Sequence, residues 1–169
     1  SKEGVEETYW AGTDTVTNQE FPGVIYATDG SKTNDDMGAG FYRHDTQQGG
    51  CCKVGRIKEG LSSNRPEYIA AWLALKDATN TISNNDTNRF FMPPHLHKSN
   101  VNQIQNWIGD ETDPIIRKAP DGEIRRAIIE LLRTRISKNK FTLFIMIKAT
   151  GEFANEKADI WADKGRELE

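Results

Sequence analysis

Three carboxylates occupy positions at which α/β proteins place ligand-binding side chains. Asp29 ends a short β-prone run, Glu67 lies in the first turn of a predicted helix, and Asp159 lies early in the last predicted helix. Ligands of mixed sheets gather at strand ends and helix starts. Carboxylate oxygens are also the ligands that hard divalent cations prefer. The pattern therefore predicts that these three residues form a divalent-metal site.

Each of the three acidic residues also has a simpler structural interpretation. Asp29 before Gly30 is typical of a turn. Asn64 and Glu67 have the spacing of a capping box, which stabilises a helix by ~1 kcal/mol without any metal. Asp159 taken alone is typical of a solvated helix carboxylate. The metal site depends on all three residues meeting in one place.

The periodicity of the chain predicts the elements that position these residues. The predicted strands cover residues 23–28, 38–43, 50–56, 89–96 and 141–147. Apolar stripes predict helices from residue 63 to about residue 78, and over 101–108, 124–136 and 155–164. The first three strands are joined by connections too short for a crossover helix and form an antiparallel meander. Strands and helices then alternate, which indicates a mixed α/β sheet with helices packed against it.

Length and composition favour one intracellular domain. The 169 residues suffice for a single compact domain, and no apolar stretch approaches the ~20 residues of a membrane-spanning helix. The adjacent Cys51 and Cys52 point to opposite faces of a strand and cannot build a disulfide framework. We therefore expect a reducing compartment, which could be the nucleus, the cytoplasm or an organelle. A zinc site that combines these cysteines with His95 and His97 is an alternative, but the spacing matches no known finger.

Charge is distributed unevenly along the chain. Residues 1–36 carry two lysines against eight acids, a net charge of −6, and the polar, aperiodic residues 1–21 predict a flexible acidic leader before a domain at 22–169. Residues 114–140 carry eight basic residues against three acids, a net charge of +5. This excess could seat a phosphate backbone, although a solvated helix face is the alternative.

Several motifs, in order along the chain, resemble those of ribonuclease H of type 1. They are Asp29-Gly30-Ser31, the glycine-broken strand at 37–42, the run 62–67, the stretch 105–108 and the stretch 155–159. The resemblance extends from about residue 24 to residue 165. It implies a ribonuclease H-like α/β fold with a five-stranded mixed sheet, in which three antiparallel strands are followed by two parallel ones, and with helices on both faces.

The resemblance also implies a substrate and a chemistry. Enzymes of this family cut the RNA strand of an RNA/DNA hybrid with two magnesium ions held by four carboxylates, one metal activating water and the other stabilising the leaving oxygen. Asp29, Glu67 and Asp159 match three of the four and are the implied catalytic and metal-binding residues. The implied cofactor is Mg²⁺, or Mn²⁺ in its place, and the implied partner is RNA/DNA hybrid or another duplex nucleic acid.

Further residues are assigned to the substrate by the same resemblance. Gly30 and Ser31 would place backbone and hydroxyl donors near the scissile region, while Asn64 would read the minor groove with support from Arg65. Such recognition depends on shape, phosphates and 2′-hydroxyls, so no sequence specificity is expected. Salt-sensitive attraction would come from four cations of the predicted long helix: Arg125, Arg126, Arg133 and Arg135.

Two departures from the family pattern predict that hydrolysis is weakened or lost. Counting back without gaps from Trp107, the fourth carboxylate falls on Leu96, which lies between His95 and His97. The histidine thought to assist proton transfer is replaced by Thr150 or deleted, and threonine cannot act as a base near neutral pH. The alternative function is a catalytically inactive structural or protein-binding subunit of a larger assembly, with the acidic leader docking to a partner.

Overall fold

The centre of the computed structural model is a mixed β-sheet. The structure describes residues 5–10, 24–56, 60–81, 87–93, 96, 118, 121–147 and 153–169, with the backbone alone at 5–10 and 146–147. The strands in these residues are β1 (Val5–Trp10), β2 (Val24–Lys32), β3 (Asp36–Arg43), β4 (Gln48–Arg56), β5 (Thr87–Met92) and β6 (Phe141–Ile147). They lie side by side in the order β1-β6-β5-β2-β3-β4.

The strand directions match the predicted sheet. β2, β3 and β4 are antiparallel neighbours, while β5 runs parallel to β2 and β6 runs parallel to β5. The prediction of three antiparallel strands followed by two parallel ones is confirmed. β1 adds a further strand, parallel to β6, and so places Val5–Trp10 in the sheet rather than in a separate leader. The other residues of the predicted leader lie outside the described part of the chain.

Helices cover both faces of the sheet, as predicted. The described helices are α1 (Arg65–Asn80), α2 (Gly122–Ser137) and α3 (Phe153–Arg166). Because side chains alternate along a strand, Tyr26 of β2 packs in the core beneath α1 and α2, whereas Ile25 and Ala27 pack beneath α3. None of the described helices is long and apolar enough to cross a membrane. The helix predicted at 101–108 lies outside the described residues.

The fifth strand is shorter than the predicted range 89–96. β5 ends at Met92 because Pro93, which follows, has no N–H to donate to a neighbouring strand. The Leu96 N–H donates to the Pro93 carbonyl oxygen at 3.1 Å. Leu96 is 7% exposed and belongs to the core beneath α1 and α2.

α3 lies unusually close to the sheet because glycines face it. A Cβ atom at Gly38 would overlap the backbone of Arg166 and Ala162, and one at Gly40 would overlap the backbone at Trp161 and Ala162. The buried face of α3 is itself made of small residues, namely Ala154, Ala158, Ala162 and Gly165. Helix backbone and strand backbone are therefore in direct contact.

We expect Gly38→Ala to destabilise the protein by about 1–3 kcal/mol, since the added methyl group must push α3 away from β3. Chemical denaturation measures the change in the free energy of unfolding. Ser63→Ala is the control, because Ser63 is exposed and a surface substitution usually changes stability by less than ~0.5 kcal/mol. Equal stability of Gly38→Ala and the wild type would contradict the close contact.

Candidate nucleic-acid interface

Asp29 lies near the end of β2, next to a glycine that leaves room for a neighbouring helix. Asp29 is half-buried, and its Oδ1 accepts the Gly30 N–H at 2.9 Å. On one side Asp29 pairs in register with Gly40 of β3. On the other side Ala27 pairs with Phe91, so the same register brings Asp29 level with Pro93. The neighbouring residues, Gly40 on β3 and Pro93 just after β5, are uncharged.

Glu67 is brought to Gly30 by the first turn of α1. Its side chain is 3% exposed, and a Cβ at Gly30 would lie 2.8 Å from Glu67 Oε1 and 2.9 Å from Pro66 Cβ. The absence of a side chain at residue 30 therefore allows this carboxylate to lie directly against β2. Asp29 and Glu67 approach the same short segment of backbone from the two elements predicted to carry them.

The capping-box interpretation of Glu67 is wrong. Asn64 stands at the N-cap of α1, but its side chain makes no cap hydrogen bond. In a capping box the Glu67 side chain would accept the Asn64 N–H. That N–H instead donates to Ser62 Oγ at 3.2 Å. Glu67 faces the sheet, while Asn64 is exposed to solvent.

Asp159 lies on the exposed side of α3. The β2 residue beside which it lies can be worked out from the contact that Asp163, one helical turn later, makes with that strand. The Ser31 hydroxyl donates to Asp163 Oδ1 at 2.6 Å. A step of four helix residues rises ~6 Å, and a step of two strand residues rises ~6.6 Å. The contacts of Gly38 with Ala162 and Arg166, and of Gly40 with Trp161 and Ala162, show that α3 runs antiparallel to β3 and therefore parallel to β2. Asp159 is therefore level with Asp29.

The available oxygen ligands do not fit a four-carboxylate, two-metal centre. Leu96, which the ungapped count from Trp107 assigns to the fourth carboxylate position, is buried in the core, and its side chain has no oxygen. Among the described residues, no group of three or more aspartate, glutamate, histidine or cysteine side chains is arranged to hold a metal ion. A metal site built from Asp29, Glu67 and Asp159 stays a prediction. Thr150, His95 and His97 lie outside the described residues.

Ser31 and Arg65, both assigned to the substrate, make contacts within the protein. Ser31 is 6% exposed, and Arg166 Nη1 donates to its hydroxyl, which itself donates to Asp163. Arg65 Nη1 pairs with Asp121 Oδ1 at 3.3 Å and with Glu123 Oε1. These bonds join β2 to α3 and the start of α1 to the start of α2.

Electrostatics at the start of α1 follow from the Arg65 pair. Burial alone would lower the pKa of Arg65, but the hydrogen bond and charge of Glu123 raise it overall. The hydrogen bond from Arg65 lowers the pKa of Glu123 in turn, against the opposing effect of burial. Both groups therefore favour their charged forms.

The basic face predicted for the long helix is smaller than its sequence indicates. Arg125 is 6% exposed and its guanidinium lies 4.6 Å from the centre of the Tyr68 ring. Arg135 is 0% exposed and donates to Thr142 Oγ1 at 2.8 Å and Asn88 Oδ1 at 2.6 Å. Burial lowers the pKa of Arg135 to about 10. The prediction that these two arginines attract a phosphate backbone is wrong, because their side chains are used to pack α2.

Two surface cations remain from that predicted set. Arg126 and Arg133 are half-buried, and Arg133 Nη1 pairs with Glu130 Oε1 at 2.9 Å.

Cys51 and Cys52 are free thiols on β4, and burial raises the pKa of both. A raised pKa keeps a thiol protonated and poor as a metal ligand at neutral pH.

Sequence reasoning missed Asp163 and Arg166, which contact Ser31 from α3. A signal for them exists, since Asp163 lies four residues after Asp159 and shares its helix face. The burial of Arg125 and Arg135 also had a signal. Both fall on the stripe of Ile128 and Leu132, at the three- and four-residue spacing of a core-facing helix side.

Comparisons with known proteins identify the fold. No protein-family model matches this chain, and no curated protein matches its sequence. Ribonuclease H1 of the halophilic archaeon Halobacterium salinarum NRC-1 is a similar solved structure, with a TM-score of 0.52 and 21% identity over 84% of this chain and 96% of that chain. LC11-RNase H1, solved in complex with RNA/DNA hybrid, has a TM-score of 0.53 and 18% identity over 84% and 98% of the two chains.

The sheet order, the helices on both faces and these similarities agree. The chain has a ribonuclease H-like α/β fold. At this level of identity the similarity defines the fold, and the chemistry must be argued from the residues of this chain.

We expect Arg65→Met to raise the pKa of Glu123 towards its ordinary value of 4.5. A lowered carboxyl pKa contributes stability above the ordinary value, and this contribution is lost as the pH falls through the lowered pKa. Carbon-detected NMR titration of the Glu123 carboxyl measures the shift. Arg133→Met, which removes a cation of α2 that pairs with Glu130, is the control and should leave Glu123 unchanged. An unaltered Glu123 pKa in Arg65→Met would refute the pairing.

Proposed function

We propose that this chain is a nucleic-acid-binding domain that engages RNA/DNA hybrid at the end of β2 and the start of α1. The observation that carries the proposal is the ribonuclease H-like fold, together with a similar structure solved with RNA/DNA hybrid bound. The position of Glu67 against Gly30 supports it, because this carboxylate lies directly beside the end of β2. Exposed Asn64 lies beside this place and could reach a minor groove.

Within this proposal, metal-dependent hydrolysis of the RNA strand is weakened or lost. A hard cation in such a site needs several oxygen ligands, and each missing ligand also removes a negative charge. Leu96 is apolar and buried, which leaves the carboxylates at 29, 67 and 159 as the implied set. Mg²⁺ or Mn²⁺ bound there would supply an activated water and stabilise the leaving oxygen.

A second candidate is a catalytically inactive structural or protein-binding subunit of a larger assembly. The observation that favours it is that several polar residues expected to meet substrate are already used inside the protein. Ser31 is bonded to α3, Arg65 to the start of α2, and Arg135 to β5 and β6. A fold that retains its architecture while its polar groups serve internal packing is suited to such a role.

Binding and cleavage of a labelled RNA/DNA hybrid separate the two candidates. We expect salt-sensitive binding by fluorescence anisotropy, little dependence on sequence, and slow or undetectable cleavage in Mg²⁺ or Mn²⁺. Any cleavage should disappear in Asp29→Asn. Asp35→Asn is the matched control, because it makes the same change at an exposed residue a short distance along the chain.

Each of two results would reject one of the candidate functions. Turnover that Asp29→Asn abolishes and Asp35→Asn preserves rejects the inactive-subunit candidate. A purified chain that neither cleaves the hybrid nor binds it in a salt-sensitive way rejects the nucleic-acid-binding proposal.

A further inference from the structure

A three-residue polar cluster joins the end of β2 to α3, two residues after Asp29. The Ser31 hydroxyl donates to Asp163 Oδ1 at 2.6 Å. Arg166 Nη1 donates to the same carboxylate oxygen at 2.9 Å and also to the Ser31 hydroxyl. We call this group the Ser31–Asp163–Arg166 clamp. Because its hydrogen bonds involve charged partners, they are stronger and more directional than neutral ones.

The clamp adds directional contacts to a helix whose fully buried residues are all small, while its larger apolar residues, Phe153 and Trp161, pack at the edge of the core. The buried face of α3 consists of alanines and a glycine, and it lies on the glycines of β3. Helices normally gain a fixed position from large side chains that fit between those of a neighbour. Small side chains allow close approach but form shallow ridges, so directional hydrogen bonds must contribute more to the position of α3.

The other end of the clamp is anchored to β4. Lys53 Nζ donates to the Arg166 carbonyl oxygen at 2.6 Å, which satisfies a carbonyl in the last turn of α3. Lys53 also pairs with Asp36 Oδ1 at 3.4 Å at the start of β3. Arg166 is thus held through its backbone by β4 and through its side chain by β2.

We propose that Asp163 and Arg166 are positioning residues that fix the register of α3 against β2 and thereby hold Asp159 level with Asp29. The clamp bonds Ser31 within the protein and holds α3 in a fixed position at one side of the surface beside Asp29. This inference rests on the proposed nucleic-acid site, because its consequence is that the affinity for hybrid depends on two residues that need not touch it. A register shift of α3 would change the shape that the nucleic acid meets.

The sign of one substitution separates positioning from simple charge. Asp163→Asn removes a negative charge, which by electrostatics alone should leave the affinity for a polyanion unchanged or increase it. If Asp163 positions α3, the same substitution should weaken hybrid binding, by about tenfold, although the protein has become less acidic. Glu130→Gln is the matched control, since Glu130 and Arg133 form the same three-residue-spaced ion pair at the same 2.9 Å on α2.

The experiment uses the full chain and two measurements. Fluorescence anisotropy with a labelled RNA/DNA hybrid compares the wild type, Asp163→Asn and Glu130→Gln at one salt concentration, after circular dichroism has shown that all three are folded. Hydrogen exchange followed by mass spectrometry, without nucleic acid, compares the exchange rates of residues 153–160. We expect faster exchange there in Asp163→Asn than in the wild type or Glu130→Gln.

The two measurements distinguish failure of the inference from failure of the proposed function. If the wild type binds hybrid and Asp163→Asn binds as well as Glu130→Gln, the positioning role is overturned and the proposed function stands. Unchanged exchange in Asp163→Asn also overturns the role. If the wild type does not bind hybrid, the proposed function fails, and with it the role of the clamp in binding. The inference is supported if Asp163→Asn shows both weaker binding and faster exchange while Glu130→Gln shows neither.

Discussion

The close approach of two helices to the end of β2 is the constraint on which the candidate site depends. α1 reaches this strand from one face, with Glu67 against Gly30, and α3 reaches it from the other face through Ser31 and Asp163. Both approaches need a glycine in the sheet, at Gly30 for α1 and at Gly38 for α3. A side chain at either position would move a helix and the carboxylates that it carries.

The same constraint explains how the polar residues near the site are used. Charged groups in a partly buried region are tolerated when they are paired and hydrogen-bonded. Arg65 meets this requirement with Asp121 and Glu123, and Arg166 meets it with Asp163. The Arg65 pairs tie the helix carrying Glu67 to the start of α2, and the hydrogen bonds of Ser31 with Asp163 and Arg166 tie the helix carrying Asp159 to β2. Polar contacts as well as packing therefore hold both helices of the site, and Leu96, which the sequence comparison assigned to the fourth carboxylate position, is buried.

Much of this arrangement could be predicted from the sequence, because local patterns specify it. The β-prone run at 23–28 and the helical stripe after Ser63 predicted β2 and α1. The structure differs at Asp29, which lies within the strand and not in a turn, because β2 continues to Lys32. Pro93 and its neighbour signalled the irregular end of β5. These features depend on residues that are close in the chain, where spacing and propensity carry the information.

Features that depend on long-range register could not be predicted in this way. The bond between Ser31 and Asp163 spans 132 positions, and no local pattern reports it. Arg135 was interpreted as a surface cation because its charge was given more weight than its place in the helical period. That place is on the same side of the helix as the buried Leu132. β1 was missed because its acidic residues interrupt a β-prone segment, and its pairing with β6 is set by a strand more than a hundred residues away.

Backbone NMR with increasing amounts of RNA/DNA hybrid tests the central claim most directly. The account predicts that the amide signals that shift most belong to residues 29–32, to Asn64 and to the first turns of α3, because these surround the end of β2. Shifts concentrated along the exposed side of α2, or an unchanged spectrum at saturating hybrid, would contradict it.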